Sequence, residues 1–211
     1  MGADFFFPIL TFAGGVLLLL GWLYATAANP RSNALLLKSI GFFVLPGIAL
    51  VEVPQFALRF PLASLFWPLV EEALKSAAAV TEKNPRDRFW LVTLFGVWEL
   101  MLAKAVWGIT HRALLETWTD FQLVGLAVAA LLAVLMHAIT AEIYAFRFTG
   151  RLTAAIAASW AVHASFNKSI DLLGVSLTSA LLLLLPLVLL FMGLWPRQSP
   201  TAASETEVAC R

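Results

Sequence analysis

The sequence is short of cysteine and short of charge, and each shortage removes a class of protein. Its one cysteine, Cys210, is the penultimate residue. It can form neither an internal disulfide nor a cysteine-rich metal site, and it does not sit four from the end as a prenylation signal requires. Only 13% of the 211 residues are charged, against 61% hydrophobic, whereas a soluble domain runs about 25% charged and about 45–50% apolar. With a mean hydropathy of +0.86, this composition is that of a membrane protein. A net charge of +1, with no basic run longer than KNPRDR at 83–88, gives no general attraction for nucleic acid, so no nucleic-acid partner is expected. The opening MGADFFFPIL lacks the basic n-region of a cleavable signal peptide, and Phe6 stands where a myristoylation signal has Ser or Thr. The first apolar run is expected to be retained as a span.

What the chain does have is long apolar runs. They predict an all-α, polytopic membrane helix bundle with about seven transmembrane helices, near 5–28, 33–51, 61–81, 89–108, 121–146, 152–168 and 172–195. The breaks AANPRSN, EKNPRD, FTGR and WPRQSP carry turn chemistry. Lys and Arg alternate between sides: Arg31, Lys38, Lys83, Arg86, Arg88, Arg147, Arg151, Arg197 and Arg211 fall on one, and Arg59, Arg112 and Lys168 on the other. The positive-inside rule then puts the N-terminus outside and the C-terminus in the cytoplasm. Residues 1–196 read as one membrane domain and the polar 197–211 as a disordered cytoplasmic tail. Trp22, Trp67, Trp90, Trp107, Trp118, Trp160 and Trp195 lie near span ends and read as interface anchors, and Pro186 is expected to bend the last helix.

Ionisable groups at bilayer depth are expensive and by default functional. Here they are Glu71, Glu72 and Lys75 in the third span, Glu99 and Lys104 in the fourth, His137 and Glu142 in the fifth, and His163 with Asn167 in the sixth. Lys75 is four residues from Glu71 and three from Glu72, so it can reach either. The two glutamates point about 100° apart, which leaves one carboxylate to face another helix; the bland alternative is an ion pair that locks the helix. Pro68 either kinks the third helix or starts it. Phe95 and Glu99 share a face, and Glu99 could simply pair with Lys104. His163 and Asn167, four apart on a short span rich in Ala and Ser, read as two donors on a helix buried inside the bundle. His137 alone is the weakest signal, since a membrane histidine often bonds a backbone carbonyl. Four helices each contributing such a side chain near mid-span predict a shared polar cavity.

In order and spacing, EEALK at 71–75, FGVWE at 95–99, HAIT from His137 and HASFN at 163–167 resemble the motifs of the PrsW-like intramembrane proteases. These are relatives of the type II CAAX prenyl endopeptidases and the wider CPBP group. The resemblance spans roughly 65–170. Lys75 and Glu99 follow the PrsW pattern rather than the CAAX one, which argues against a prenylated substrate; Trp98 and Leu100 depart from the small residues and asparagine common there. The resemblance implies a multi-pass endopeptidase, in a prokaryotic cell membrane, that cleaves a membrane-anchored protein.

Peptide hydrolysis needs an activated water, oxyanion stabilisation and a proton for the leaving amine. Glu71 or Glu72 would activate water, with the other glutamate and Lys75 orienting it. His163 and Asn167 would hold the oxyanion, and Glu99 and His137 would complete the network over the supporting Phe95. No cofactor is expected in this glutamic mechanism. A zinc metalloprotease using Glu71, His137 and His163 is the nearest alternative, and a small proton- or ion-coupled transporter the next. The site would be the same in each case.

Overall fold

The computed structural model describes residues 3–47, 62–148, 150–174 and 176–194. The tail 197–211, Arg59, Trp195 and the end of the second expected span lie outside the described residues. The described residues form helices and no strands: α1 (Ala3–Ala25), α2 (Ser32–Gly47), α3 (Ala63–Ala79), α4 (Pro85–Thr110), a single turn α5 (Arg112–Leu115), α6 (Asp120–Arg147), α7 (Leu152–Leu173) and α8 (Leu177–Leu194). Three of them, Phe6–Ala25 within α1, α4 and α6, are long and apolar enough to cross a membrane; α2 and Leu177–Leu190 are shorter apolar helices.

Local chemistry sets the helix starts. Asn84 caps α4 by accepting a hydrogen bond from the Arg86 amide at 2.9 Å, with Pro85 in the first turn, the position where its missing N–H costs nothing. Thr119 and Gln122 form a capping box at the start of α6. The cap moves the start of α4 back to Pro85, so Arg86, Asp87 and Arg88 ride on its first turn instead of in a loop.

α6 is the central post. α4, α7, α8 and α1 pack around it, and α3 pairs with α7. The start of α8 comes so close that a Cβ at Gly125 would stand 2.3 Å from the Ser176 carbonyl carbon; only glycine permits that approach.

The end of α1, the start of α2, the α3–α4 connection and the end of α6 are clasped together. Asn29 donates to Asp87 at 2.8 Å, Arg31 bridges Asp87 at 2.7 Å and Glu82 at 2.8 Å, and Lys38 pairs with the same Glu82. Arg88 donates to the carbonyls of Ala79 and Glu82 at 3.1 and 2.8 Å, at and just beyond the end of α3 where C=O groups lack helical donors, and to that of Tyr144 in α6 at 3.2 Å.

Three expectations need correction, two about α7 and one about the tryptophans, and one open alternative, at Pro68, is decided. α7 runs to Leu173, 22 residues, so it is not short and Lys168 lies within it. Nor is it enclosed: it buries Ala155, Ser159, His163, Ala164 and Phe166 and exposes Ala157, Ala161 and Ser165. Trp22 and Trp67 are core residues at 4% and 3% exposure rather than interface anchors; the Trp22 indole donates to the Trp90 carbonyl at 3.1 Å. Pro68 does not start α3, which begins at Ala63. It lies within the helix and leaves the Ser64 carbonyl without its helical donor. The next carbonyl, of Leu65, accepts the Trp160 indole N–H at 2.8 Å, tying α7 to α3.

Candidate active site

The adjacent glutamates of α3 take different faces, as helical geometry demands. Glu72, fully buried, accepts from Lys75 Nζ at 2.6 Å through Oε1, and the same oxygen lies 3.1 Å from His163 Nδ1. Its Oε2 accepts no hydrogen bond among the described residues. Glu71 turns toward a cavity of about 550 Å³, with Oε2 3.5 Å from His163 Nε2. One imidazole therefore stands between the two carboxylates.

Lys75 is also fully buried, and its ammonium has three recipients. Besides Glu72 it donates to His137 Nδ1 at 2.7 Å, and it lies 4.7 Å from the centroid of the Phe95 ring, a desolvated cation–π contact. An ammonium only donates, so His137 Nδ1 accepts and the ring's proton sits on Nε2, directed at Glu99 Oε2 with which it bonds. His137 thus bridges α3 and α4 from α6 and, among the described residues, bonds no backbone carbonyl through its ring. Glu99 Oε1 takes Lys104 at 2.6 Å. Glu99 thus pairs with Lys104 and also lines the cavity, two placements the sequence posed as alternatives.

The Glu99–Lys104 pair depends on a local change of helix. Residues five apart in an α-helix point about 140° away from each other. Glu99–Ala103 form a π-helical turn in which the Lys104 amide bonds the Glu99 carbonyl; the i→i+5 repeat puts both side chains on one face. One turn earlier, a Cβ at Gly96 would lie 2.8 Å from the His137 Cβ, so glycine lets α4 lean against the imidazole. Phe95 packs edge-on to Phe43 at 5.3 Å between centroids and 5.1 Å from the His137 ring.

The cavity wall includes Glu71, Glu99, His163 and Asn167. Glu72, Lys75 and His137 stand behind it. His163 and Asn167 share the cavity face of α7, with Asn167 half-buried. The opposite wall is apolar, formed by α6 residues such as Ala130, Ala133 and Met136. Glu142, in contrast, lies 3.9 Å from Arg147 near the clasped end and takes no part in the cavity. Sequence reasoning missed Tyr144, whose hydroxyl donates to the Glu72 carbonyl at 3.1 Å, pinning the turn that bears the carboxylates. A tyrosine in a membrane helix, five residues from the expected break at Thr149, gives no signal for that role.

Three carboxylates, of Glu71, Glu72 and Glu99, and two ammonium groups, of Lys75 and Lys104, meet here, with the His163 ring between the first two carboxylates. Glu71 and His163 both line the cavity.

No protein-family model matches the chain, and neither a curated protein nor a solved structure matches it.

Proposed function

We propose that this chain is a multi-pass intramembrane endopeptidase of the PrsW-like type, in a prokaryotic cell membrane, that hydrolyses peptide bonds of membrane-anchored proteins by glutamate-activated water. The observation that carries the reading is the division of labour between neighbours: Glu72 is committed to Lys75, whereas Glu71 faces the cavity beside His163. Glu71 is therefore the base. It takes a proton from water as the water oxygen bonds to the scissile carbonyl carbon. Asn167 and His163, on one face of α7, donate to the developing oxyanion. When the C–N bond breaks, the proton that Glu71 took from water passes to the leaving nitrogen, giving a carboxylic acid and an amine, which exchange a proton to leave as carboxylate and ammonium. Lys75 and His137 stand behind the cavity wall and Glu99 lines it; together they hold Glu72 and the His137 ring in place.

A second reading has one observation in its favour. Ligand atoms of Glu71, His137 and His163 lie within 4.8 Å of one another, a fitting set for zinc, which would supply a polarised water. Against it, both ring nitrogens of His137 are engaged, one by a cationic ammonium; a metal ion would have to displace Lys75 or Glu99. The metal-free reading is preferred.

The test is cleavage of tagged single-span proteins by the purified chain in liposomes, with and without chelator. Cleavage that survives chelator and is lost in Glu71→Gln and His163→Ala, both still folded, is the expected result. Loss on chelation with recovery on zinc would replace it by the metalloprotease. Failure to cleave any substrate would overturn both, and ion flux would be measured next.

A further inference from the structure

α7 presents His163, Asn167 and Asp171 to the cavity. They are spaced i, i+4 and i+8, so they form one ladder along a single helix face. At about 1.5 Å per residue the ladder is about 12 Å long. It starts at the Glu71–His163 pair and ends at Asp171, exposed at the rim beside Ile170.

The charges at that rim are unequal in their commitments. Lys104 is held by Glu99 at 2.6 Å. His111 stacks on Trp107, with ring centroids 4.5 Å apart and planes 15° apart. Lys168, three residues before Asp171, is exposed, does not line the cavity and forms no ion pair with it. Asp171 makes no hydrogen bond or ion pair among the described residues. Among the described residues the rim thus offers one uncommitted negative charge, at a fixed distance from the carboxylate that activates water.

We infer that Asp171 is a specificity-determining residue: it selects substrates that carry a lysine or arginine about three to four residues from the scissile bond. This inference rests on the peptidase reading. The spacing follows from an extended peptide advancing about 3.3 Å per residue along a ladder of about 12 Å. The aromatic and aliphatic rim provided by Trp107 and Ile170 suits the apolar stem of a long basic side chain whose head reaches the carboxylate.

The experiment uses single-span peptides that differ only at positions three and four on either side of the cleaved bond, occupied by Lys, Gln or Glu. The bond is located by mass spectrometry. Wild type is expected to show kcat/KM in the order Lys, Gln, Glu, with about a five- to tenfold spread between extremes, as a part-exposed charge pair gives, and the spread shrinks at high salt. Asp171→Lys inverts the order. Equal rates for all three peptides, or the same order in Asp171→Lys, overturn the inference while leaving the peptidase reading standing. If no peptide is cleaved, the peptidase reading fails; binding of the same labelled peptides to the chain in uncharged nanodiscs then decides. Affinity that follows the same order and inverts in Asp171→Lys supports Asp171 as a charge selector, and charge-blind affinity sinks it.

Discussion

Lys75 Nζ lies 2.6 Å from Glu72 Oε1 and 2.7 Å from His137 Nδ1, so one ammonium ties α3 to α6 and sets the tautomer of the imidazole. Removing it leaves a carboxylate buried without its counter-ion. Lys75→Met is expected to lower stability by about 3–5 kcal/mol, read as thermal unfolding in detergent. Lys75→Met combined with Glu72→Gln should regain part of that loss, because the uncompensated charge goes with the lysine. Equal stability of wild type and the single variant would show that the ammonium is not a structural ion.

The two glutamates should separate in opposite ways. Glu71→Gln keeps the fold and lowers the rate by about 100- to 10,000-fold, the usual worth of a general base. Glu72→Gln loses its pairing with Lys75 and is read first as a drop in melting temperature. Side-by-side melting curves and cleavage rates check this. The reverse pattern would move the base to Glu72.

Gly96→Ala pushes against the His137 Cβ, which would stand 2.8 Å away. Overpacking of this kind costs about 1–3 kcal/mol. Because His137 in turn aims Glu99, a displacement of about 1 Å is expected to cost about a hundredfold in rate. Gly125→Ala, which crowds Ser176 far from the carboxylates, should lower stability without a comparable loss of rate per folded molecule.

The clasp at the other end supplies a control. Glu82 is buried and receives both Arg31 and Lys38. Glu82→Gln is expected to cost about 1–3 kcal/mol and to leave the cleavage rate per folded molecule as it was, measured after correction for folded fraction.

Much of the helix order and the residues of the site could be read from the sequence, because apolar run length and intramembrane charge are both local signals. Glu71, Glu99, His163 and Asn167 do meet at one cavity, and Lys75 and His137 stand directly behind. What could not be read depends on geometry between helices or on departures from ideal helices. Spacing let Lys75, four residues from one carboxylate and three from the other, reach either, and only the packed structure shows it on Glu72. The tryptophans at span ends were indistinguishable from interface anchors until packing placed Trp22 and Trp67 in the core. The extension of α7 past Lys168 escaped notice because charged residues near a helix end resemble a boundary.

The π-helical turn at Glu99–Ala103 amounts to one surplus residue accommodated within α4. Removing a single codon there would let the helix relax to its ordinary repeat. Everything beyond would then rotate by about 100° and draw back by about 1.5 Å, carrying Lys104 and Trp107 out of the cavity wall while leaving composition and hydropathy almost untouched. In this stretch it is the length of the chain, more than the identity of any side chain, that shapes the chamber.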